Sequence, residues 1–358
     1  MTKVVIVGGG VIGMFCAVTL ARMGVRVTLL EAEAEDFTPY APAASLAAAG
    51  MLAPLIDVDD DAAFDALALE SYDLWLSLSK GAAWEDGMRF DGAVVACADS
   101  DDAQKRAAKI EQRGRKAQVL NAGGLRKRTG LDTKAPAGVF VADEALADPL
   151  RVLSGLVMAA RSYGAQIRYH QDVATVTARG VTTVDGALFE ADHIVLAPGA
   201  WATDAIAAAA PALKHIRPAK GHMVPVATTH PLGCTLHGPG FYLAQQLGGA
   251  VLGATLEYDR FDRGVDPARV AELLDAAAKL LPGALTQRER PWTGIRPMSP
   301  DGAPLVGKSG DMLVACGHSR NGWLLAPLTA EIICAQVLGQ PQAPQWSRFA
   351  PDRFETKT

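Results

Sequence analysis

The stretch Val4-Val5-Ile6-Val7-Gly8-Gly9-Gly10-Val11-Ile12-Gly13, close to the start of the chain, decides the fold. Four apolar residues predict a buried strand, the glycines predict a tight turn, and a helical pattern then runs to about Met23. Val25 to Leu30 predicts a second strand, which ends at Glu31. A strand, a helix and a second strand within about thirty residues predict the βαβ unit of an α/β fold with a parallel sheet.

The glycines of the turn have the spacing of a dinucleotide-binding site. Gly8 permits the tight turn, Gly10 lets the backbone approach a pyrophosphate, and Gly13 lets the helix pack closely on the strand. The N-terminus of the helix faces the phosphates with a partial positive charge. Glu31 lies 21 residues after Gly10, where a carboxylate accepts hydrogen bonds from a ribose. The unit therefore predicts dinucleotide binding and leaves NAD(P) and FAD open.

Composition is typical of a globular protein. The chain has 358 residues, of which 49% are hydrophobic and 20% charged, enough for two domains or one large α/β unit. Its 34 basic and 39 acidic side chains give a net charge of −5, which argues against a nucleic-acid-binding surface. High apolar content without short repeats excludes collagen, coiled coil and intrinsic disorder.

Two stretches without Asp, Glu, Lys or Arg, residues 38–56 and 222–256, resemble membrane spans only at first sight. Prolines interrupt both, and neither is a continuous run of about 20 apolar residues. We expect buried backbone around something flat or uncharged. Because the first strand begins at Val4, we also expect no secretory signal and a cytoplasmic location.

The cysteines and acidic clusters predict no metal or disulfide chemistry. The five cysteines are far apart and include no C-x-x-C pair, which predicts buried free thiols in a reducing compartment. The seven histidines have no partner at metal-ligand spacing. The charge-rich residues 99–134 predict solvated helix and loop. A solvated helix start is predicted for the acidic residues Asp57, Asp59, Asp60 and Asp61.

Segments from both halves of the chain resemble a known family. The N-terminal unit together with Ala48-Ala49-Gly50-Met51-Leu52-Ala53-Pro54 resembles the D-amino-acid oxidase superfamily of FAD enzymes. Three segments in the last quarter of the chain resemble, more narrowly, the glycine oxidase branch, whose best-known members serve thiamine biosynthesis. They are Gly294-Ile295-Arg296-Pro297, Asp301-Gly302-Ala303-Pro304-Leu305-Val306-Gly307 and Gly317-His318-Ser319-Arg320-Asn321-Gly322-Trp323-Leu324-Leu325-Ala326-Pro327. The resemblance covers the whole chain and implies that the cofactor is FAD, most simply bound without a covalent link.

The resemblance also implies a discontinuous architecture. A Rossmann-like FAD-binding domain of glutathione-reductase-like topology would comprise residues 1–80, 143–217 and 299–358. A substrate-binding domain with a large antiparallel sheet would comprise residues 81–142 and 218–298. The uncharged stretch 222–256 fits a sheet that shelters a flat flavin ring.

The resemblance assigns roles to individual positions. To cofactor binding it assigns Gly8, Gly10, Val11, Ile12, Gly13, Glu31, Ala44, Ser45, Ala49, Gly50, Met51, Val173, Gly199, Trp201, Arg320, Asn321, Gly322, Trp323 and Leu324. Arg296 matches an arginine that binds the substrate carboxylate, and Tyr242 matches a tyrosine that helps to hold it. Without the resemblance, the sequence favours a surface loop arginine at Arg296 and a core aromatic at Tyr242.

The residue types support part of this assignment independently. A guanidinium forms a bidentate, charge-assisted pair with a carboxylate, and Arg296 stands between Gly294 and Pro297, which predicts a rigid turn. His318 is not assigned as a general base, because the implied chemistry removes the Cα hydrogen as a hydride. Cys316 is interpreted as a buried thiol instead of a covalent flavin ligand.

Four positions depart from the pattern of the family. Ser319 stands where an aromatic is usual, Trp323 replaces a smaller aliphatic residue, Pro198 replaces Thr, and Leu256 replaces Met. These departures leave the preferred amine open.

The implied function is that of an FAD-dependent amino-acid oxidase. A hydride passes from Cα of glycine, sarcosine or a D-amino acid to flavin N5, the imine hydrolyses to a 2-oxo acid, and O2 reoxidises the flavin to give H2O2. The implied partners are an amino acid with a free carboxylate and O2 or another electron acceptor, and the chain is expected to form a homo-oligomer. Three alternatives remain: a dehydrogenase of D-amino or N-substituted amino acids that passes electrons to a quinone or other carrier, a pyridine-nucleotide dehydrogenase, and a non-catalytic FAD-binding subunit.

Overall fold

The computed structural model describes residues 1–56, 61–246 and 248–354. Asp57, Asp59 and Asp60 of the predicted helix start lie outside the described residues. Asp61 is the N-cap of a helix, and its side chain accepts a hydrogen bond of 3.0 Å from the backbone N–H of Phe64.

The described residues form α-helices, strands and short 3₁₀ turns. The helices are α1 Val11–Arg22, α2 Ala44–Ala47, α3 Ala62–Ser79, α4 Ser100–Glu111, α5 Ala122–Thr129, α6 Pro149–Ser162, α7 Asp204–Ala209, α8 Pro267–Leu280 and α9 Gly322–Val337. The 3₁₀ turns are Glu85–Gly87, Pro211–His215, Pro344–Phe349 and Pro351–Phe354. The strands are β1 Lys3–Val7, β2 Arg26–Leu30, β3 Met51–Leu52, β4 Met88–Arg89, β5 Ala93–Cys97, β6 Ala117–Asn121, β7 Ala137–Val141, β8 Ala145–Ala147, β9 Gln166–Arg168, β10 Val173–Thr177, β11 Gly180–Thr183, β12 Leu188–Glu190, β13 His193–Leu196, β14 Arg217–Thr228, β15 Thr235–Gly238, β16 Phe241–Gln246, β17 Gly249–Gly253, β18 Glu257–Tyr258, β19 Leu285–Gln287, β20 Trp292–Met298, β21 Leu305–Ser309 and β22 Met312–Cys316.

A six-stranded sheet with the order β21-β22-β13-β1-β2-β9 confirms the predicted βαβ unit. Its strands are parallel except for β21, and Ile6 of β1 lies opposite Leu29 of β2 and Val195 of β13. A Cβ on Gly13 would lie 1.9 Å from the carbonyl oxygen of Gly8, so only glycine allows α1 to approach β1 this closely.

A ten-stranded sheet forms the second layer, with the order β18-β14-β17-β16-β15-β5-β7-β6 and with β19 and β20 also paired to β14. Its pairings are antiparallel except between β5 and β15, which run parallel. The uncharged stretch 222–256 supplies β15, β16, β17 and most of β14, as the prediction of buried strands required. Two three-stranded sheets, β10-β11-β12 and β3-β8-β4, complete the strands.

The helices cover the sheets with apolar faces. Helices α1, α6 and α9 pack together in the largest core cluster, which includes Phe15, Leu156 and Leu325. A second cluster lies on the other side of the ten-stranded sheet, where α8 covers Val224 and Leu252. The layered α/β architecture with a large, mainly antiparallel sheet therefore agrees with the predicted fold class.

Some predictions need correction or refinement. Residues 99–134 contain α4 and α5 as expected, but also β6, which forms the edge of the ten-stranded sheet.

All five cysteines are buried and free, as predicted. Within residues 1–56, 61–246 and 248–354, no helix is both long and apolar enough to cross a membrane.

Candidate active site

A cavity of about 920 Å³ lies between the carboxyl ends of the parallel strands and one face of the ten-stranded sheet. Every residue predicted for the site lines it except Gly13 and Leu324. Gly13 packs behind the turn, and Leu324 is buried in the core beneath the first turn of α9. The position agrees with the general rule that ligands of open α/β sheets bind at the carboxyl ends of the strands.

The glycine-rich turn forms one end of the cavity. Gly8 has φ +107°, and a Cβ there would lie 2.2 Å from the carbonyl oxygen of Ala197. Glu31 holds the turn, because its carboxylate accepts hydrogen bonds from the backbone N–H of Gly9 at 2.5 Å and of Glu33 at 3.0 Å. The N-cap of α1 is Gly10, which supplies no side-chain cap, so backbone lines the cavity here. This arrangement suits a pyrophosphate.

Ser45 links this turn to the C-terminal motif. Its hydroxyl accepts a hydrogen bond of 2.9 Å from the backbone N–H of Val11, and its carbonyl accepts one of 3.0 Å from the indole of Trp323. The indole of Trp75 donates in turn to the carbonyl of Trp323 at 2.9 Å. The unusual Trp323 therefore fills the space between α9, α2 and α3, where it is 4% exposed.

The segment after α2 runs along the cavity wall. Gly50 has φ +82°, and a Cβ there would lie 1.8 Å from the carbonyl oxygen of Ala147. The amide of Gln246 donates to the carbonyls of Ala48 and Ala49, both at 3.2 Å, which ties this wall to the ten-stranded sheet. Ala44 of α2, and Ala49 and Met51 after it, also line the cavity.

The remaining predicted cofactor residues lie on three other segments. Val173 begins β10 beside the glycine turn. Gly199 and Trp201 follow β13, and the Trp201 indole donates to the carbonyl of Pro42 at 3.3 Å. At the N-terminus of α9 are Arg320, Asn321 and Gly322. The structure thus brings distant segments of the predicted cofactor site to one cavity.

Arg296 lies on β20, in an extended strand and not in the predicted turn; paired with β14, it continues the sheet. The guanidinium covers Gly221 of β14, where a Cβ would lie 2.1 Å from Nη1. Its Nη1 donates to the carbonyl of Thr255 at 3.2 Å. Glycine at position 221 therefore makes room for the guanidinium.

In the described part of the chain, the charge on Arg296 is not balanced by an acidic side chain. Among the described residues, no carboxylate forms an ion pair with Arg296. Burial lowers the pKa of this guanidinium, and the nearby Arg320 lowers it further, while Tyr242 raises it. An arginine remains protonated despite such a shift, so the wall presents a cation suited to an anion.

Tyr242 lies on β16, on the cavity face of the sheet. Its phenol donates a hydrogen bond of 3.3 Å to the sulfur of Met223, and its ring lies over Gly253. Cross-strand pairing places Tyr242 directly opposite Gly253 and His237. The phenol and the guanidinium therefore share one cavity wall.

The prediction from sequence missed the residues that hold Arg296. The hydroxyl of Thr255 accepts a hydrogen bond from the backbone N–H of His222 and also lies 2.9 Å from His222 Nδ1. His222 Nε2 accepts from the backbone N–H of Asp266 at 3.0 Å, so Nδ1 carries the proton. Burial lowers the pKa of His222. A glycine within a strand, as at Gly221, is the one sequence signal for this arrangement.

The structure does not support His318 as a general base or Cys316 as a covalent flavin ligand, because burial keeps the first unprotonated and the second protonated. His318 lines the cavity, but burial lowers its pKa to about 3, and its Nε2 lies 2.9 Å from the hydroxyl of Thr329. Burial raises the pKa of Cys316 to about 12, and its thiol donates to the carbonyl of Gly199 at 3.2 Å. Within the described residues, no group of three or more His, Cys, Asp or Glu side chains could hold a metal ion.

The cavity fits FAD on the evidence of its own residues. Its glycines at positions 8 and 50 leave backbone cradles that a Cβ would fill, and Glu31 and the N-terminus of α1, whose N-cap residue is Gly10, lie at one end. At the other end of the cavity lie the uncharged strands β16 and β17, which can shelter a flat ring.

Comparison with known proteins agrees with this fit. The model of the DAO family, described as FAD dependent oxidoreductase, matches residues 3–336. The chain is 31% identical to glycine oxidase of Geobacillus kaustophilus, over 93% of this chain and 92% of that protein. It is 32% identical to the bifunctional protein ThiO/ThiG of Synechocystis sp. over its full length, but spans 55% of that longer protein.

The crystal structure of glycine oxidase from Geobacillus kaustophilus superimposes with a TM-score of 0.86, at 28% identity, over 99% of this chain and 100% of that chain. The resemblance to the D-amino-acid oxidase superfamily is thereby confirmed. The chain belongs to the DAO family of FAD-dependent oxidoreductases.

Proposed function

We propose that this protein is an FAD-dependent oxidase of small amino acids, acting on the CH–NH2 or CH–NH group of glycine, sarcosine or a D-amino acid. The relatives that are named glycine oxidase support this substrate class. The observation that carries the proposal is Arg296, a cation without a carboxylate partner among the described residues, held in the wall of a cavity that fits FAD.

The protein's part in the reaction is to orient the substrate. Arg296 binds the substrate carboxylate as a bidentate, charge-assisted pair. Tyr242 donates a further hydrogen bond to the same carboxylate. The carbonyl of Thr255 and the open face of Gly221 fix the plane of the guanidinium, so the position of Cα follows from the position of the carboxylate.

FAD supplies the acceptor for the hydride that leaves Cα. The chain needs no general base for this step, because the amine enters neutral and His318 stays neutral at ordinary pH. Met223 and Ala254 give the wall an apolar surface that excludes water from the reacting centre. The imine product hydrolyses to a 2-oxo acid.

The cofactor is proposed to bind without a covalent link at the predicted residues, since the Cys316 thiol is buried and protonated. We propose the domain division 1–80, 143–217 and 299–358 against 81–142 and 218–298. The strands of the six-stranded sheet fall in the first set and those of the ten-stranded sheet, apart from the first residue of β14, in the second. O2 as acceptor, homo-oligomer formation and a cytoplasmic location remain predictions.

Anaerobic reduction of the purified flavoprotein tests the proposal. Glycine, sarcosine, D-alanine, D-proline and larger D-amino acids are each added to the yellow protein, and the flavin absorbance is followed before and after admission of air. Bleaching by at least one of them with rapid recovery in air is expected. Bleaching with slow recovery would indicate a dehydrogenase that uses another acceptor, and no bleaching would contradict the proposal.

Replacement of Arg296 tests the role of this chain in catalysis. Arg296→Ala should lower kcat/KM by roughly 100-fold or more while FAD stays bound, because the substrate carboxylate loses its charged partner. Arg217→Ala is the matched control, since Arg217 lies on the adjacent strand with its side chain 74% exposed. Equal activity of the two variants would assign the carboxylate to another residue, and no turnover by the wild type would favour a non-catalytic subunit.

A further inference from the structure

The cavity continues past Tyr242 along the sheet. His237 of β15 lies opposite Tyr242 on one side and opposite Val95 of β5 on the other. Residues directly opposite in neighbouring strands point to the same face, so the three side chains form one row. Two strand spacings separate its ends, a distance of about 10 Å.

We call this part of the cavity the side arm and define it by Val95, Ala96, Ala98, His237, Pro239 and Arg106, all of which line the cavity. None of the residues predicted to bind FAD lies on β5, β15 or α4, which form the side arm. The side arm therefore lies outside the part of the cavity that the predicted FAD-binding residues line.

Four of the six side chains that define the side arm are apolar, and the other two are those of His237 and Arg106. Val95 is half-buried on the cavity face of β5, whereas Val94, its neighbour in sequence, is fully buried in the core on the other face. Pro239 adds a rigid apolar wall at the turn between β15 and β16. A ligand in the side arm would thus meet apolar side chains along Val95 and Pro239.

The one full charge among the residues that define the side arm, on Arg106, is already neutralised. Arg106 donates to Asp102 of the same helix at 3.1 Å, and the two side chains are 48% and 36% exposed. Unlike Arg296, this guanidinium has a carboxylate beside it. The side arm therefore favours an uncharged occupant.

Ser319 leaves further room next to the cavity. Its hydroxyl accepts from the backbone N–H of Ser299 at 3.2 Å and lies 3.3 Å from the Ser299 hydroxyl, so this short side chain is held against the wall. An aromatic side chain at this position, as the resemblance leads one to expect, would occupy more volume. The pocket thus exceeds what glycine, with no side chain, requires.

We propose that the side arm binds an uncharged aliphatic substituent on Cα or on the nitrogen of the amino acid, and that such substrates are preferred to glycine. The inference rests on the proposed function, because it needs the carboxylate to be held at Arg296. With the carboxylate fixed there, the side arm lies on the far side of Tyr242 and receives the opposite end of the substrate.

The test compares substrates of different length on the FAD-loaded enzyme. D-2-aminodecanoic acid carries an eight-carbon chain on Cα, and N-octylglycine carries it on nitrogen. We expect kcat/KM for at least one of them to exceed that for glycine about ten-fold or more. The two probes distinguish the two attachment points.

Val95→Phe should fill the side arm. It should lower kcat/KM for the preferred long substrate about ten-fold, with less than a two-fold effect on glycine. Val119→Phe is the matched control, because Val95, Val139 and Val119 are in register on the same sheet face but Val119 is 42% exposed and does not line the cavity.

Three results would overturn the inference. Preference for glycine over both long substrates would do so, and so would equal losses for short and long substrates in Val95→Phe. Equal effects of Val95→Phe and Val119→Phe would indicate a general disturbance of the sheet. If no amino acid reduces a flavin that dithionite does reduce, the proposed function itself fails, and the inference falls with it.

Discussion

At the scale of single residues, Gly221 controls the orientation of Arg296. The atoms nearest to a Cβ on Gly221 are Nη1, Nη2 and Cζ of Arg296, at 2.1, 2.6 and 2.7 Å. All three belong to the end of a flexible side chain, and Gly221 lies in an ordinary strand, so alanine would displace the guanidinium without disturbing the backbone.

Gly221→Ala should therefore raise KM for the amino acid roughly 10- to 100-fold, because displacing a positioning group by about 1 Å has effects of that size. FAD content and the unfolding midpoint should stay unchanged. Steady-state kinetics on the FAD-loaded variant measures this. Gly123→Ala, in α5, is the control, since its Cβ would meet only the side chain of Asn121 at 3.5 Å. An unchanged KM in Gly221→Ala would mean that Gly221 does not control the orientation of Arg296.

How far the sequence predicts the site differs from residue to residue. Arg296 and Tyr242 are predictable because their side-chain chemistry and the surrounding motif point to a carboxylate. Gly221, Thr255 and His222 are not, because their roles arise from pairing of β14 with β20 and from a contact across 33 residues of chain. Such pairings depend on the register of the whole sheet, which no local pattern encodes.

At the scale of elements, Trp323 joins the C-terminal helix α9 to α2 and the glycine turn. Its indole donates to the carbonyl of Ser45, whose hydroxyl in turn accepts from Val11 at the start of α1. The segments that frame the predicted pyrophosphate and flavin positions are thus held together by two hydrogen bonds through one serine.

Trp323→Phe should weaken FAD binding about five-fold, because one hydrogen bond contributes about 1 kcal/mol. Fluorescence titration of the apoprotein with FAD measures the dissociation constant. Trp346→Phe removes a comparable bond, from the indole to Glu70 at 3.1 Å, away from the cavity, and should leave FAD binding unchanged. The same dissociation constant in both variants would contradict a role for the Trp323–Ser45 bond.

Elements with strong local signals were predictable from the sequence, whereas elements defined by pairing were not. Asp148 followed by Pro149 predicts the start of α6, and the Asp148 side chain indeed accepts from the backbone N–H of Leu150 and Arg151. The prediction of a turn at Arg296 was wrong for a physical reason, because Gly294 and Pro297 are residue types that normally interrupt strands. Here Gly294 lies opposite Gly221, and a Cβ on it would meet Ala47 at 2.7 Å, so close packing against α2 explains the glycine.

At the scale of the whole molecule, the two large sheets meet around the cavity, and segments from both form its walls. Phe261 and Trp201 lie with ring centroids 4.7 Å apart at the rim, and the Trp292 indole donates to the carbonyl of Ala47 at 2.9 Å. A cofactor that contacts both layers at once binds the folded chain and not the unfolded one. FAD should therefore stabilise the fold by mass action.

Removal of FAD should lower the free energy of unfolding, and its return at 100 times the dissociation constant should restore about 2.7 kcal/mol. Urea denaturation of the apoprotein at increasing FAD concentrations measures this. Gly8→Ala should abolish the dependence on FAD, because the Cβ would lie 2.2 Å from the carbonyl oxygen of Ala197 beside the cavity. Gly186→Ala is the control for backbone strain, since Gly186 has φ +89° with no atom within 4 Å of its Cβ position. Gly186→Ala should lower the free energy of unfolding but keep the full stabilisation by FAD. If Gly186→Ala also lost the stabilisation by FAD, backbone strain in general, and not the glycine turn, would govern FAD binding.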